Sequence, residues 1–402
     1  MPNANWRDQP RQVLKVMGQL PWDSLLPRWF DWVYLLGVFD YSGPLIVTHE
    51  GEVDLASQTE RLPSLFAISN HQSVHPLLGT NEDLVTLIQA IHETSGKVMV
   101  DFVTNHTGTT HPWVKSYPEY YQKDNQGLKT AFSQDVYCLD YAIPQVSQAM
   151  IEVLRQLVSW GVDGVRCDMA HLVPLSFWEG AISKIKAQKP NFYFLAEVYS
   201  QSVFDWQPMT QMIAAGFDAV YDEFFFRNLK WHYQDHQSLA LPLAHWQYIL
   251  MQPQRSQLLH YLANHDDPLP QGSINYQEAW LSLMMLTGPS LIYLGQLNGL
   301  ARRLAHHWLD LLPSEVNDWH QLPSWYLKLR SLIRTLDLSL ETLNEENNGL
   351  IYGRLASRLG TGQLVLNLGL KDQLLTPERL EGTRMLRPKS LKLTPGQVEI
   401  SI

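Results

Sequence analysis

What most constrains this chain is a repeated pattern rather than a repeated sequence. A short apolar run ends in polar residues, an amphipathic or irregular stretch follows, and another apolar run begins. Residues 30–38 (FDWVYLLGV), 65–70 (LFAISN), 97–103 (KVMVDFV), the run inside 161–174 (GVDGVRCDMAHLVP), 191–198 (NFYFLAEV), 217–224, 258–263 and 290–294 read as strands. Runs apolar along their whole length suit strands buried on both faces. Between them, Thr80 and Asp83 form a capping box ahead of an apolar face of Leu84, Leu87, Ile88 and Ile91, which Gly96 stops. Pro144 opens another helix, with Val146, Met150, Val153, Leu154 and Leu157 inward. Strands alternating with helices predict an α/β fold, a parallel (β/α)8 barrel with its reactive residues at the strands' C-terminal ends. The first link, 39–63, holds Gly and Pro and no convincing helix.

The expected division is a barrel over 1–340, with a short insertion after the third strand at about 104–143, and an abbreviated β-rich domain over 341–402. In that last part, residues 350–354 and 363–368 read as a hairpin turning at Gly360-Thr361-Gly362. A chain of 402 residues with 45% hydrophobic and 17% charged side chains can bury a large core. The net charge of -10, with no Lys/Arg run longer than a pair, argues against a nucleic-acid partner. No run of about 18 apolar residues suggests a membrane span. Cys138 and Cys167 are the only cysteines, too few for a disulfide framework or a Cys-based zinc site. With no apolar leader visible, the expected location is cytoplasmic.

Four strand ends carry chemistry: Asp101, Asn105 and His106; Arg166 and Asp168; Glu197; and Asn264, His265 and Asp266. Arg166 and Asp168 stand two apart on one strand, so they share a face. An arginine beside a carboxylate keeps it ionised, which suits a nucleophile, although an isolated R-x-D would more simply be a structural ion pair. Glu197 follows an apolar strand, where desolvation favours the acid form. Paired carboxylates of these two characters suit an oxocarbenium-like transition state, as in glycoside cleavage.

At these residues the chain resembles a known family. DFVTNH, GVRCDMAH, AEV and ANHDD are similar, in order, to the four signature regions of the α-amylase superfamily, the family 13 glycoside hydrolases. VHPLLGT is similar to the family's V-D-P-x-x-G-T. The resemblance implies a retaining mechanism. Asp168 would be the nucleophile, Glu197 the acid/base and Asp266 the carboxylate that grips the sugar. His106 and His265 match the pair contacting that sugar, and Asn264 stands in the same motif. Arg166 and Asp101 match the network positioning the nucleophile, and Phe66 takes the place of a stacking tyrosine. His171, in the same stretch as Asp168, is equally explained as a satisfied structural histidine.

Departures mark what the resemblance leaves open. Where the family often places a calcium-binding aspartate, this chain has Cys138, and a thiol is a poor ligand for that ion. No cofactor or metal is therefore expected. After the eighth strand come Gly295, Gln296 and Leu297 and then Arg302, Arg303, His306 and His307, either a phosphate site or a solvated helix face. The expected activity is amylase-like hydrolysis of α-1,4-glucans or maltooligosaccharides. The alternative is a transglycosylase or a sucrose or glucoside phosphorylase. A non-catalytic barrel should have lost Asp168 or Glu197, and a metal-dependent hydrolase should show clustered ligands such as H-x-H at strand ends.

Overall fold

The computed structural model describes residues 13–41, 64–131, 133–200, 202, 205–294, 296–298, 323–346, 349–371, 373–375 and 391–401. The basic cluster Arg302, Arg303, His306 and His307 lies outside the described residues, as does Gly295. The chain divides into two compact units, Met1–Tyr199 with Trp206–Asp218, and Ser200–Asp205 with Ala219–Ile402.

In the first unit four strands run parallel, in the order Trp32–Leu35, Lys97–Val103, Gly164–Asp168 and Tyr193–Ala196. Lys97–Val103, Gly164–Asp168 and Tyr193–Ala196 are buried almost throughout, as their largely apolar composition requires, while Trp32–Leu35 is half-buried up to Leu35. Helices cover them. Asn81–His92 begins with the expected box, Thr80 accepting from the Asp83 amide and Asp83 from the Thr80 amide, and buries Leu84, Leu87, Ile88 and Ile91. Pro144–Ser159 and Leu175–Gln188 follow the same logic, the former with Pro144 in its first turn.

The segment read as a second barrel strand departs from expectation. Ile68–Val74 does not join the parallel sheet. It pairs antiparallel with Phe39–Tyr41, and Trp32–Leu35 lies directly beside Lys97–Val103. The reason is chemical: after Ile68 the strand reads Ser-Asn-His-Gln-Ser, polar groups that a strand buried on both faces cannot hold.

At the N-terminal ends of these strands, carboxylates clamp the backbone. Asp163 accepts from the Val98 amide at 2.9 Å, from Lys189 at 2.8 Å and from His92 at 2.7 Å. Asp218 accepts from the Phe194 amide at 2.8 Å and from Lys186 at 2.7 Å. Those ends are fastened, and the opposite ends carry the reactive groups.

In the second unit Ala219–Tyr221, Leu258–Tyr261 and Ser290–Leu291 run parallel. Buried Asp222 caps the helix Glu223–Gln234 by accepting from the Phe225 amide at 3.1 Å, and also takes His245 and His260, each at 2.8 Å. Burial alone would raise the Asp222 pKa, but the two imidazoles hold it well below the usual carboxylate range. An antiparallel sheet, in the order Ser339–Glu346, Leu350–Ser357, Gly360–Asn367 and Val398–Ser401, completes the unit. Its hairpin turns at Arg358 and Leu359, since Ser357 pairs with Gly360; the glycines expected at the turn lie in the strand. Arg255 and Gln247 fasten this sheet to their helices through the carbonyls of Leu340 and Leu343.

Candidate active site

Parallel register assembles the site of the first unit. Asp101 is paired with Arg166, and Arg166 with Leu195. Asp168, two residues past Arg166, shares its face, and so does Glu197, two past Leu195. All four side chains are buried. The Arg166 guanidinium meets all three carboxylates. One terminal nitrogen donates to Asp168 Oδ1 at 2.6 Å and Asp101 Oδ1 at 3.1 Å, and the other donates to Glu197 Oε1. Burial would push the guanidinium down, but Glu197 above all, with Tyr34, Asp168 and Asp101, holds it well above its ordinary value. One guanidinium thus joins three buried carboxylates.

Each carboxylate is also oriented separately. Tyr34 Oη donates to Asp101 Oδ1 at 2.6 Å, and the Gly37 amide reaches Asp101 Oδ2 at 3.3 Å. Glu197 takes the Met169 amide on Oε2 at 2.9 Å and the Tyr199 hydroxyl on Oε1 at 3.0 Å. Met169, immediately after Asp168, sits in the left-handed region at φ 46°, ψ 41°, which costs a non-glycine residue roughly 1 kcal/mol or more. That conformation is the one in which its amide meets the Glu197 carboxylate.

His106 begins the short strand after Lys97–Val103 and is 3% exposed. Burial pushes its pKa down to about 4, against a hydrogen bond with the Phe66 backbone, so it is neutral at pH 7. The half-buried Phe66 ring lies over Arg166, 5.8 Å from the guanidinium carbon to the ring centroid, and so faces the charged cluster rather than the core. His106 is the register partner of Cys138, whose buried thiol is pushed up in pKa.

The other expected residues stand in the second unit, after Leu258–Tyr261. Asn264 builds the turn: its Oδ1 accepts from the amides of Asp266 at 2.9 Å and Asp267 at 2.7 Å. Its amide oxygen is thereby committed to presenting Asp266. The Asp266 carboxylate lies 3.1 Å from His265 Nε2, and its side chain is 39% exposed beside the buried His265.

The family model for the α-amylase catalytic domain matches residues 58–128. The chain is 30% identical over 216 residues to an α-1,4-glucan:maltose-1-phosphate maltosyltransferase of Bifidobacterium longum, covering 50% of this chain and 28% of that protein. It is 28% identical over 170 residues to the maltosyltransferase of the same name from Pseudomonas aeruginosa, covering 40% and 25%. The matched part thus spans about a quarter of the length of these curated relatives. Among solved structures, an α-amylase from Lactobacillus plantarum superposes with a TM-score of 0.74 at 22% identity, covering 92% of this chain and 90% of that one. One from Geobacillus thermoleovorans, complexed with acarbose, gives 0.72 at 20%, covering 100% and 94%. Over residues 58–128 the chain matches the α-amylase catalytic domain, and its fold is that of these α-amylases.

The likeness also identifies the fold as a (β/α)8 barrel with a short insertion and a C-terminal β domain, seven of whose parallel strands lie among the described residues. The residues that orient the carboxylates carry no motif in the sequence. Tyr34 was hidden inside an apolar run, where the signal was a buried hydroxyl in need of a partner. Tyr199 stands two after Glu197, the same-face spacing that singled out Arg166 and Asp168. Also overlooked was a histidine pair, His71 Nδ1 and His111 Nε2, 3.2 Å apart and both buried. His111 Nδ1 accepts from the Trp113 amide, so His111 donates through Nε2 and His71 accepts. No helix among the described residues is long and apolar enough to cross a membrane.

Proposed function

We propose that this chain is a retaining enzyme acting on α-glucosidic bonds, with Asp168 as nucleophile, Glu197 as acid/base and Asp266 as the carboxylate that grips the sugar hydroxyls. The observation that carries the proposal is the single Arg166 guanidinium bridging Asp168 and Glu197. Bridging by one guanidinium favours the close spacing of a retaining pair, about 5–5.5 Å, over the roughly 6.5–9.5 Å of an inverting pair. In the first half-reaction, Asp168 attacks the anomeric carbon as the glycosidic C–O bond breaks and the Glu197 proton passes to the leaving oxygen. In the second, an incoming hydroxyl gives its proton to Glu197 and displaces Asp168. Neutral His106 donates to or accepts from sugar hydroxyls without adding charge. Asp101, held by Tyr34, fixes Arg166.

Hydrolysis of α-1,4-glucans or maltooligosaccharides is the first reading of the incoming group. Transfer to a sugar is the second, favoured by the maltosyltransferase names of the curated relatives. No metal is proposed. Cys138 stands where the family often has a calcium-binding aspartate, and a buried, protonated thiol beside His106 is the wrong donor for a hard cation. The proposed site is cytoplasmic.

The test is product analysis on maltooligosaccharides and sucrose, with and without inorganic phosphate, beside Asp168→Ala. Shorter products without phosphate establish hydrolysis, longer ones transfer, and phosphate-dependent sugar phosphate a phosphorylase. Undiminished activity in Asp168→Ala would overturn the assignment.

A further inference from the structure

Beyond Asp168 the chain runs straight into the wall of a cavity of about 400 Å³. His171, Leu172, Val173 and Pro174 line one side; Gln211 and Met212, from the helix Gln207–Ala214, are among the residues on the other. We propose that this cavity holds the group on the far side of the scissile bond, and that its chemistry selects a neutral alcohol with an apolar face, alkyl or aryl, over a phosphorylated one. The proposal rests on the functional reading above and names the leaving and accepting groups of that same site.

Continuity with the acid/base is the first support. The Tyr199 amide donates to His171 Nδ1 at 3.4 Å, and the Tyr199 hydroxyl donates to Glu197 Oε1 at 3.0 Å. The Ala170 amide donates to the Glu197 carbonyl at 2.9 Å. One hydrogen-bonded piece of chain therefore carries both the cavity wall and the carboxylate that exchanges a proton with the leaving oxygen.

The second support is what the lining offers. Among the described residues it contains no Lys, Arg, Asp or Glu, and its polar side chains are His171 and Gln211. Burial pushes His171 below its ordinary pKa, so it is neutral at pH 7 and supplies no cation to a phosphate. Aliphatic and proline carbons make up the rest. Leu172 is left 46% exposed, an apolar side chain set in water directly after the catalytic strand. The volume lies at the lower end of the range for small-molecule sites.

In the step that uses the cavity, an alcohol R–OH seated there attacks the anomeric carbon of the glycosyl-Asp168 ester. The new C1–O bond forms as the C1–Asp168 bond breaks, Asp168 leaves as carboxylate, and the hydroxyl proton passes to Glu197. Cleavage of the resulting glucoside is the same path reversed, with R–OH departing from the cavity.

The experiment compares hexyl α-glucoside with α-glucosyl fluoride, whose leaving group occupies no cavity, in the full chain and in Leu172→Asn and Leu172→Met. Removing the apolar contact should lower the ratio of kcat/KM, hexyl glucoside to fluoride, about tenfold in Leu172→Asn. Leu172→Met, which keeps an apolar side chain, should retain the ratio within about twofold. With α-glucosyl fluoride as donor, 1-hexanol should be glycosylated in preference to inorganic phosphate. An unchanged ratio in Leu172→Asn, or phosphate outcompeting hexanol, would overturn the assignment of the cavity. Failure of the unsubstituted protein to turn over either substrate would instead overturn the functional reading itself.

Discussion

The Tyr199 hydroxyl donates to Glu197 Oε1 at 3.0 Å, on the same oxygen that receives a terminal nitrogen of Arg166. A hydrogen bond to the ionised carboxylate lowers its pKa. Tyr199→Phe removes that bond, so Glu197 should keep its proton to higher pH. The alkaline limb of kcat/KM is expected to move to higher pH. A merely structural tyrosine would lower activity without moving the limb, so a pH–rate profile separates the two roles.

Arg166 compensates three buried carboxylates, and its removal should act on stability as well as rate. Breaking a buried ion pair by removing one partner costs about 3–5 kcal/mol. Arg166→Ala is expected to lose that much in urea unfolding at pH 7, and less at pH 5, where protonation relieves the uncompensated Asp101, Asp168 and Glu197. Arg166→Lys keeps the charge but not the fork that reaches two carboxylates from separate nitrogens. It should recover most of the stability while kcat/KM stays at least about a hundredfold down. Equal loss of stability at both pH values would contradict the charge argument.

How much of this was legible in the sequence depended on whether the signal was local. Lys97–Val103 and Gly164–Asp168 were readable because burial on both faces demands apolar side chains, interrupted past Lys97 only by Asp101, Arg166 and Asp168 of the site. The segment at 65–70 misled because its apolar half, Leu65 to Ile68, is followed by polar residues that place the strand in a separate antiparallel pair. The glycines at 360–362 drew the hairpin turn two residues too far along. In the site, Arg166 and Asp168 announced themselves by spacing on one strand. That Arg166 would also take Glu197 depends on which strands are neighbours and in what register, and no local pattern states that. Tyr34 and Tyr199 were lost among 17 tyrosines, most of which need no explanation beyond packing.

Three buried histidines should make the fold acid-sensitive well above the carboxylate range. Burial pushes His71 down to about 3, and His106 and His111 down to about 4. In the unfolded chain each titrates near 6.5. Below that pH the unfolded state binds protons that the folded state refuses, so stability is fully present above about 6.5 and drains away towards the folded values. The slope is up to about 1.4 kcal/mol per pH unit for each histidine. Urea midpoints measured from pH 7 to 4.5 should therefore fall continuously, and His111→Gln should make the fall shallower. A flat stability between pH 6.5 and 5 would show that these imidazoles are charged in the folded protein.

Calcium offers the sharpest contrast with what the superfamily resemblance would suggest by itself. Cys138 pairs in register with His106, and its buried thiol has a raised pKa, so at neutral pH the sulfur is protonated and carries no charge for a cation. Ca²⁺ takes six to eight oxygen ligands, and sulfur is not among the donors it selects. Asn105 contributes an amide nearby, but its Nδ2 already lies 3.4 Å from His106 Nδ1. Dialysis against EDTA should leave both the thermal midpoint and the rate on maltooligosaccharides unchanged. Cys138→Asp is then the informative variant. If the thiol alone keeps calcium out, the substitution should make the midpoint rise on adding calcium, by roughly 2.7 kcal/mol of stabilisation at a hundredfold excess over Kd. A fall in the midpoint of the unsubstituted protein on chelation, restored by calcium, would mean that oxygen donors elsewhere hold the ion.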